Sequence, residues 1–285
     1  MGAEPTYETI TVSPCSLAVG AEIGGVDLAA GVAEEQLDEL RLALADHGVI
    51  FLRDQDITPS QHEAFAERWG TINVNRFFTP VPDHPRIAEV RKEPDQVANI
   101  GGGWHTDHSY VQVPAMGSLL LARELPPIGG DTLFAGMHAA YQGLSDGLKD
   151  TLRGLRAEHS SRHVFGNRKA TSAHNDRFRN AEAATQDAVH PVIIEHPVSG
   201  RPCLYVNGGF TLRFVGWTDP ESQALLQYLY RHASRPEYTY RFRWQVGSMA
   251  IWDNRAVQHY ALNDYPGERR LMHRITIEGD KLDAA

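Results

Sequence analysis

His105 and Asp107 stand two residues apart, shortly after three consecutive glycines. In a β-strand, side chains at positions i and i+2 point to the same face, so an imidazole nitrogen and a carboxylate oxygen could bind one metal ion. The pair alone is weak evidence for a metal site, because the sequence has 14 histidines and 36 aspartates and glutamates. A chance pair on the surface is the simplest alternative.

A third metal ligand could come from His259, which follows an apolar strand predicted at residues 249–252. Two histidines and one carboxylate on one face of a metal ion leave the opposite coordination positions open. That arrangement is typical of non-haem Fe(II) oxygenases.

Two arginines that follow His259, Arg270 and Arg274, are four residues apart and would share one face of a strand. An arginine can hold an anion such as a carboxylate with two parallel hydrogen bonds. Four arginines stand between residues 255 and 274 of an acidic protein. This pattern favours anion recognition near the metal over the alternative, which is ordinary surface cations.

The elements that must position these residues are mostly short strands separated by glycine and proline. Strands are predicted at residues 7–12, 49–52, 117–121, 132–134, 192–195, 203–206, 238–244, 249–252 and 272–277. Helices are predicted at residues 33–46, 58–69, 137–143, 146–155 and 220–232. Many short strands between turn signals are typical of a sandwich or barrel. The chain is therefore predicted to be mainly β with flanking helices.

Two of the predicted helices carry clear local signals. Leu37, Leu40 and Leu44 recur at helical spacing and would form one apolar face. Thr58 and Gln61 match a capping box, with proline at the first helical position between them.

Composition limits the function classes. The chain has 285 residues, 42% of them hydrophobic, and a formal net charge of −9, which is typical of a soluble globular protein. The acidic balance argues against nucleic acid as a partner. Two cysteines exclude a disulfide framework. With no apolar run of about 18 residues and no secretory signal pattern, we expect no membrane partner and a cytoplasmic location.

We expect one domain over residues 1–285, because no proline- or serine-rich linker divides the chain. Residues 164–186 are polar and lack periodicity, so they are predicted to form a long mobile insert. Loops of that length in compact domains are usually functional or disordered.

These motifs together resemble the taurine/2,4-D dioxygenase (TauD/TfdA) family of Fe(II)- and 2-oxoglutarate-dependent oxygenases. Besides His105, Asp107, His259 and Arg270, the matching stretches lie at residues 126–133, 196–200, 252–255 and 270–274. The resemblance runs from about residue 10 to 280. It implies a double-stranded β-helix (jelly-roll) core, in agreement with the predicted strands, and a homo-oligomer.

The resemblance implies a role for each matching residue. His105, Asp107 and His259 match the iron ligands, and Thr132 and Arg270 match residues that bind 2-oxoglutarate. Positions that match the substrate site are Asn75, Phe78, Phe165, Phe210 and Arg274. The implied reaction uses O2 as co-substrate, hydroxylates the substrate, and releases succinate and CO2. A carboxylate at position 107 favours hydroxylation over halogenation.

Departures from the taurine enzyme bear on the substrate. Asn75 replaces a histidine that contacts the sulfonate, Phe78 replaces a tyrosine, and Gly101 replaces an asparagine. An asparagine amide forms only neutral hydrogen bonds, whereas an imidazole can carry charge. We therefore expect a small anionic substrate other than taurine: a sulfonate, sulfate ester, phosphonate, or aryloxy or other carboxylic acid.

Two hypotheses compete with the dioxygenase. A zinc-dependent hydrolase could use the same three ligands, because zinc binds these residue types, but it gives Arg270 and Thr132 no role. A catalytically silent jelly-roll binding module would be expected to lack a ligand. His108 and His273 are expected to point away from their neighbouring site residues by strand alternation, toward packing partners or the pocket rim.

Overall fold

The computed structural model of the chain describes residues 6–75, 78–162 and 186–285. In chain order its strands are β1 (Thr11–Pro14), β2 (Ala21–Gly24), β3 (Val49–Leu52), β4 (Ile72–Asn73), β5 (Pro80–Val81), β6 (His84–Lys92), β7 (Gly117–Glu124), β8 (Thr132–Gly136), β9 (Arg156–Ser160), β10 (Asp187–Pro191), β11 (Ile193–Glu195), β12 (Pro202–Leu204), β13 (Thr211–Phe214), β14 (Thr239–Phe242), β15 (Met249–Asp253), β16 (Val257–Ala261) and β17 (Arg270–Ile277). Its helices are α1 (Glu34–His47), α2 (Pro59–Glu67), α3 (Met137–Gln142), α4 (Asp146–Arg153) and α5 (Asp219–Ala233), with a 3₁₀ turn at Pro236–Tyr238. The mainly β architecture with flanking helices is confirmed.

Within these ranges, nine strands pair into one large sheet in the order β1-β2-β3-β15-β7-β17-β6-β5, with β4 paired to β17. The pairs are antiparallel except β2 with β3. A smaller antiparallel sheet has the order β14-β8-β16. Strands β10-β9-β13 and β11-β12 form two further sheets.

The large sheet is buried on both faces, which β3 illustrates. Val49 and Phe51 belong to the apolar cluster shared with the smaller sheet, whereas Ile50 and Leu52 belong to the cluster under α1 and α2. Successive side chains of a strand alternate between faces, so a strand covered on both sides is apolar at every position. This explains why residues 49–52 are a continuous apolar run.

The predicted helix signals are confirmed. The buried face of α1 contains Leu37, Leu40 and Leu44, and the helix ends at Gly48, whose φ is +72°. Before α2, the Gln61 N–H donates to the Thr58 hydroxyl at 3.2 Å, and the Thr58 N–H donates to the Gln61 side chain at 2.9 Å. These two bonds satisfy donors that the first turn of a helix leaves unpaired.

The first strand was predicted too early, at residues 7–12, and lies instead at Thr11–Pro14. The Glu39 carboxylate of α1 accepts the backbone N–H groups of Glu8, Thr9 and Ile10 at 2.7–3.1 Å. Those donors are therefore unavailable to a strand ladder. The predicted insert at 164–186 lies outside the described residues except for Gln186.

Two other sequence-based expectations can be compared with the structure. Cys15 and Cys203 are both free thiols. Burial raises the pKa of both, and that of Cys203 reaches about 12. In the described ranges, no helix has the length and apolar character needed to cross a bilayer.

Aromatic side chains join the large and small sheets. Phe51 of β3 stacks on Phe242 of β14, with ring centroids 3.9 Å apart, and meets Phe134 of β8 edge-on at 5.5 Å. All three rings are fully buried. The small sheet, which carries Thr132 and His259, is thereby fixed over the large sheet, which carries Arg270 and Arg274.

Substitution Phe51→Ala should lower the free energy of unfolding by about 3–5 kcal/mol, because it removes a buried ring and leaves a cavity between the sheets. Urea denaturation followed by circular dichroism measures the change. The control Leu17→Ala alters a fully exposed side chain and should change the free energy by about 0.5 kcal/mol or less. Equal losses in the two variants would contradict this account of the core.

Candidate active site

The structure brings His105, Asp107 and His259 together. The two histidines form an isolated antiparallel bridge, in which the His105 N–H donates to the His259 carbonyl at 3.1 Å and the His259 N–H donates back at 3.0 Å. Asp107 faces both rings, with Oδ1 3.6 Å from His105 Nε2 and Oδ2 3.7 Å from His259 Nε2. One ligand atom from each residue lies within 4.8 Å of the others.

Two glycines leave room for the His105 side chain. Gly101 has a φ of +79°, and a Cβ there would lie 3.3 Å from His105 Cε1. A Cβ on Gly209 would lie only 2.7 Å from the His105 Cβ. A larger residue at position 209 would force the His105 side chain to shift, and one at position 101 would crowd the ring in a strained backbone conformation, so both positions favour glycine.

Contacts of the two rings leave nitrogen lone pairs available. His105 Nδ1 lies 2.8 Å from the Gly103 carbonyl. A carbonyl can only accept, so Nδ1 carries a hydrogen, and in the neutral ring Nε2 is then the nitrogen with the free lone pair. His259 packs against Trp252, with ring centroids 4.7 Å apart, and burial lowers its pKa to about 3. Its imidazole is therefore neutral at physiological pH.

Asp107 is held in its charged form. Burial raises the pKa of this carboxyl, but the positive charge of Arg274, the strongest of the opposing effects, helps to bring the pKa below its usual range. Its Oδ2 lies 3.3 Å from Arg274 Nη1, as an ion pair without hydrogen-bond geometry. One carboxylate and two imidazoles that converge in this way fit a divalent transition metal.

The predicted arrangement of this motif was only partly right. His105 lies in the bridge, but residues 107–110 form a turn and not a strand. The Val111 N–H donates to the His108 carbonyl at 3.1 Å, and His108 has a φ of +58°. Strand alternation therefore does not apply to His108, whose side chain lines the cavity beside the metal ligands.

An unpaired cation lies on another wall of this cavity. Arg270 is buried, and its Nε donates to the Gly130 carbonyl at 3.1 Å, whereas its Nη2 has no hydrogen-bond partner in the part of the chain described. Beside it, the Trp244 indole N–H donates to the Thr132 hydroxyl at 3.0 Å. A buried guanidinium with an unused hydrogen-bond donor is costly, so this pair fits an anionic ligand.

Arg274 lies on the same side of β17 as Arg270, as the spacing of four predicted. Its guanidinium lies 5.2 Å from the centre of the Phe78 ring. The Phe78 N–H in turn donates to the Asn75 side-chain oxygen at 3.2 Å. His273 points to the other side of the sheet, near Arg123, so its predicted structural position is confirmed.

These side chains enclose a cavity of about 580 Å³, the central cavity. The predicted residues that line it are His105, Asp107, His259, Thr132, Arg270, Asn75, Phe78, Phe210 and Arg274. Phe210 meets the His105 ring edge-on at 6.2 Å and the Tyr110 ring at 4.8 Å. The predicted substrate residue Phe165 lies outside the described residues.

Two of the four arginines near His259 do not face the central cavity. Arg255 forms a buried two-point ion pair with Asp253, at 2.8 and 2.6 Å. Arg269 pairs with Glu93 on the surface at 3.1 Å. A count of arginines therefore overstated the number of cations available for anion binding.

Several lining residues were missed by sequence reasoning. Tyr110 and Gln258 line the central cavity, as does Tyr230 of α5. Tyr110 is the last residue of the 107–110 turn, and Gln258 directly precedes His259. Their proximity to the predicted ligands was the available signal, but the irregular backbone at 107–110 hid the direction of the side chains.

A family model described as "Taurine catabolism dioxygenase TauD, TfdA family" matches residues 11–276. The chain belongs to this family. It is 36% identical over 285 residues to an alpha-ketoglutarate-dependent sulfate ester dioxygenase of Pseudomonas putida, covering 98% of this chain and 93% of that protein. It is 35% identical over 267 residues to an alkylsulfatase of Acinetobacter baylyi, covering 92% and 83%.

The fold has a close structural counterpart as well. The crystal structure of a taurine dioxygenase from Burkholderia xenovorans matches with a TM-score of 0.81 and 34% identity, covering 97% of this chain and 93% of that one. This TauD/TfdA enzyme is thus a 2-oxoglutarate-dependent dioxygenase that uses Fe(II) and O2. The comparisons support this function and not the zinc-dependent hydrolase.

Substitution Asp107→Asn should weaken binding of Fe(II) or Mn(II) at least about 100-fold, since loss of a supporting residue alone costs 10- to 100-fold. Anaerobic isothermal titration calorimetry measures the affinity. The matched control Asp150→Asn alters an exposed carboxylate of α4 and should leave the affinity unchanged. Equal affinity in wild type and Asp107→Asn would refute the metal site.

Proposed function

We propose that this TauD/TfdA enzyme hydroxylates an organic sulfate ester or sulfonate at the carbon nearest the anionic group. The observation that carries the proposal is Arg274, a buried cation whose Nη1 lies 3.3 Å from the Asp107 carboxylate. An anion held by this guanidinium would lie next to the metal ligands. The relatives in Pseudomonas putida and Acinetobacter baylyi, named for sulfate esters and alkyl sulfates, support this substrate class.

His105, Asp107 and His259 would hold the Fe(II) ion. When bound, iron and 2-oxoglutarate supply the oxidation of the substrate by O2, with release of succinate and CO2. The chain positions the two histidines through the backbone bridge and the Gly103 carbonyl. A site fixed in advance does not have to reorganise on binding.

Arg270 and Thr132 would bind the carboxylate of 2-oxoglutarate that lies away from the metal. Arg270 is oriented by the Gly130 carbonyl, and the Thr132 hydroxyl is oriented by the Trp244 indole. Because Nη2 of Arg270 is buried without a partner in the described chain, it is available for a charge-assisted hydrogen bond.

Arg274 would hold the anionic head of the substrate. Phe78 packs against the guanidinium, and Phe210 covers the His105 ring. These rings would exclude water and lower the local dielectric constant, which strengthens the ionic contact. Asn75 offers a neutral amide close to the same place, and the role of Phe165 in the wall stays a prediction.

The large and small sheets, which are antiparallel apart from the β2–β3 pair, lie around the site and support a jelly-roll (double-stranded β-helix) core. One domain over residues 1–285, a homo-oligomer and a cytoplasmic location stay predictions. Phosphonates and carboxylic acids are weaker candidates as substrates, because two relatives that are 35% and 36% identical to this chain are named for alkyl sulfates and sulfate esters.

Substitution Arg274→Gln should lower kcat/KM for alkyl sulfates about 30-fold or more, the cost of about 2 kcal/mol when one partner of a buried charge pair is removed. The KM for 2-oxoglutarate should stay within about twofold. Succinate formation with a panel of sulfate esters, sulfonates, phosphonates and carboxylates measures both. If no sulfate ester or sulfonate stimulates succinate formation in the wild type, the proposed substrate class is wrong.

Substitution Arg270→Ala should instead raise the KM for 2-oxoglutarate about 30-fold or more, for the same reason. The matched control is Arg269→Ala, which removes the adjacent arginine, a surface residue paired with Glu93. That control should leave the KM for 2-oxoglutarate within about twofold. A rise of similar size in both variants would contradict a specific role for Arg270.

A further inference from the structure

A second cavity of about 450 Å³ adjoins the central cavity, and Asn75, His108 and Tyr110 line both. Beyond these three shared residues its lining is mixed: Gln186 and Glu278 are polar, whereas Val74, Val111, Val113 and Ala115 are apolar. The three shared residues therefore form a partition between the place proposed for the anionic head and a second space of mixed polarity.

His108 has an unusual conformation within this partition. Its φ of +58° is uncommon for a residue other than glycine. The ring contacts Tyr110 at 5.8 Å between centroids. In the described ranges its two nitrogens make no hydrogen bond, and it does not belong to the metal-ligand cluster. An imidazole offers hydrogen-bonding capacity that nothing in this part of the chain uses.

Charge differs between the two ends of the combined space. The central cavity contains the guanidinium of Arg274, whereas the second cavity has the carboxylate of Glu278 on its lining. Glu278 forms no ion pair with any other described residue. A molecule that spans both cavities would therefore meet a cation at one end and an anion at the other.

We propose that the two cavities form one elongated substrate site, in which His108 hydrogen-bonds the substrate chain as it passes from the central into the second cavity. The substrate class is then a sulfate ester or sulfonate whose tail bears a hydrogen-bond donor, either a hydroxyl or an ammonium group. This inference rests on the proposed function, which supplies the anionic head at Arg274.

A tail of apolar carbons that also carries a hydrogen-bond donor fits the second cavity better than a purely alkyl tail. The carbons can contact Val74, Val111 and Val113, but an alkyl chain that covers His108 would leave its imidazole without a hydrogen-bond partner, and burying a polar group unpaired is costly. A hydroxyl or ammonium group can form that hydrogen bond. The central cavity must also hold 2-oxoglutarate, so a tail longer than a few atoms needs the additional volume.

The test compares hexyl sulfate with its terminal hydroxyl and terminal ammonium derivatives. Succinate formation gives kcat and KM for each, and anaerobic calorimetry with the Fe(II)- and 2-oxoglutarate-loaded enzyme gives the affinity. In the wild type, each polar-tailed sulfate should bind about tenfold more tightly than hexyl sulfate, the worth of one good hydrogen bond. Equal affinity of all three sulfates would overturn the proposal.

Two substitutions of His108 keep the backbone conformation. Glycine adopts a φ of +58° without strain and removes the imidazole, whereas asparagine tolerates this conformation and keeps a hydrogen-bonding side chain. The tail preference is the ratio of the affinity for a polar-tailed sulfate to the affinity for hexyl sulfate. His108→Gly should reduce this ratio to near one, and His108→Asn should restore part of it. Metal affinity of each variant, measured by calorimetry, shows whether the adjacent ligand turn is intact.

Glu278→Gln should reduce the preference for the ammonium tail about threefold and leave the preference for the hydroxyl tail unchanged, because the carboxylate is exposed to solvent. The matched control Glu195→Gln alters an exposed carboxylate that lines neither cavity.

If His108→Gly weakens binding of all three sulfates equally, the second cavity is not a tail site, although the proposed function stands. If no sulfate or sulfonate is turned over at all, the proposed function itself fails.

Discussion

Two reciprocal backbone hydrogen bonds between His105 and His259 hold the whole site together. They join an irregular, glycine-rich loop to the regular strand β16, so each ligand is placed by the other's backbone. Asp107 lies two residues after His105, so the bridge also limits where its carboxylate can lie. The aromatic contacts of Phe51 fix the small sheet over the large one, which brings β16 opposite the arginines of β17. The packing of the two sheets thus sets the position of the metal ligands relative to the anion-binding arginines.

Charge is distributed unevenly in this acidic protein. The net charge of −9 describes the chain as a whole, but the central cavity contains two buried guanidinium groups and one buried carboxylate. Asp107 is the counterion of Arg274 and also a metal ligand, so it links the two sites electrostatically. A cation at the three ligands would take up the negative charge of Asp107 and leave Arg274 without its counterion. An anion at Arg274 would then supply a new one. Binding of the two is therefore mutually favourable.

Much of this site follows from sequence periodicity, and the rest does not. The spacing of Arg270 and Arg274 correctly predicted that they lie on one face, because β17 is a regular strand. The same rule failed at His108, because residues 107–110 turn. The start of β1 was also misplaced, since the Glu39 carboxylate from a distant helix takes its backbone donors. Local patterns predict local geometry, whereas irregular turns and long-range side-chain contacts depend on the completed fold.

The two free thiols have a consequence for an enzyme that works with oxygen. Thiol oxidation and alkylation begin with the thiolate, whose fraction falls as the thiol pKa rises. Burial raises the pKa of Cys15 and brings that of Cys203 to about 12, so almost no thiolate exists at neutral pH. Both cysteines are therefore poor targets for oxidants that form near an enzyme of this kind.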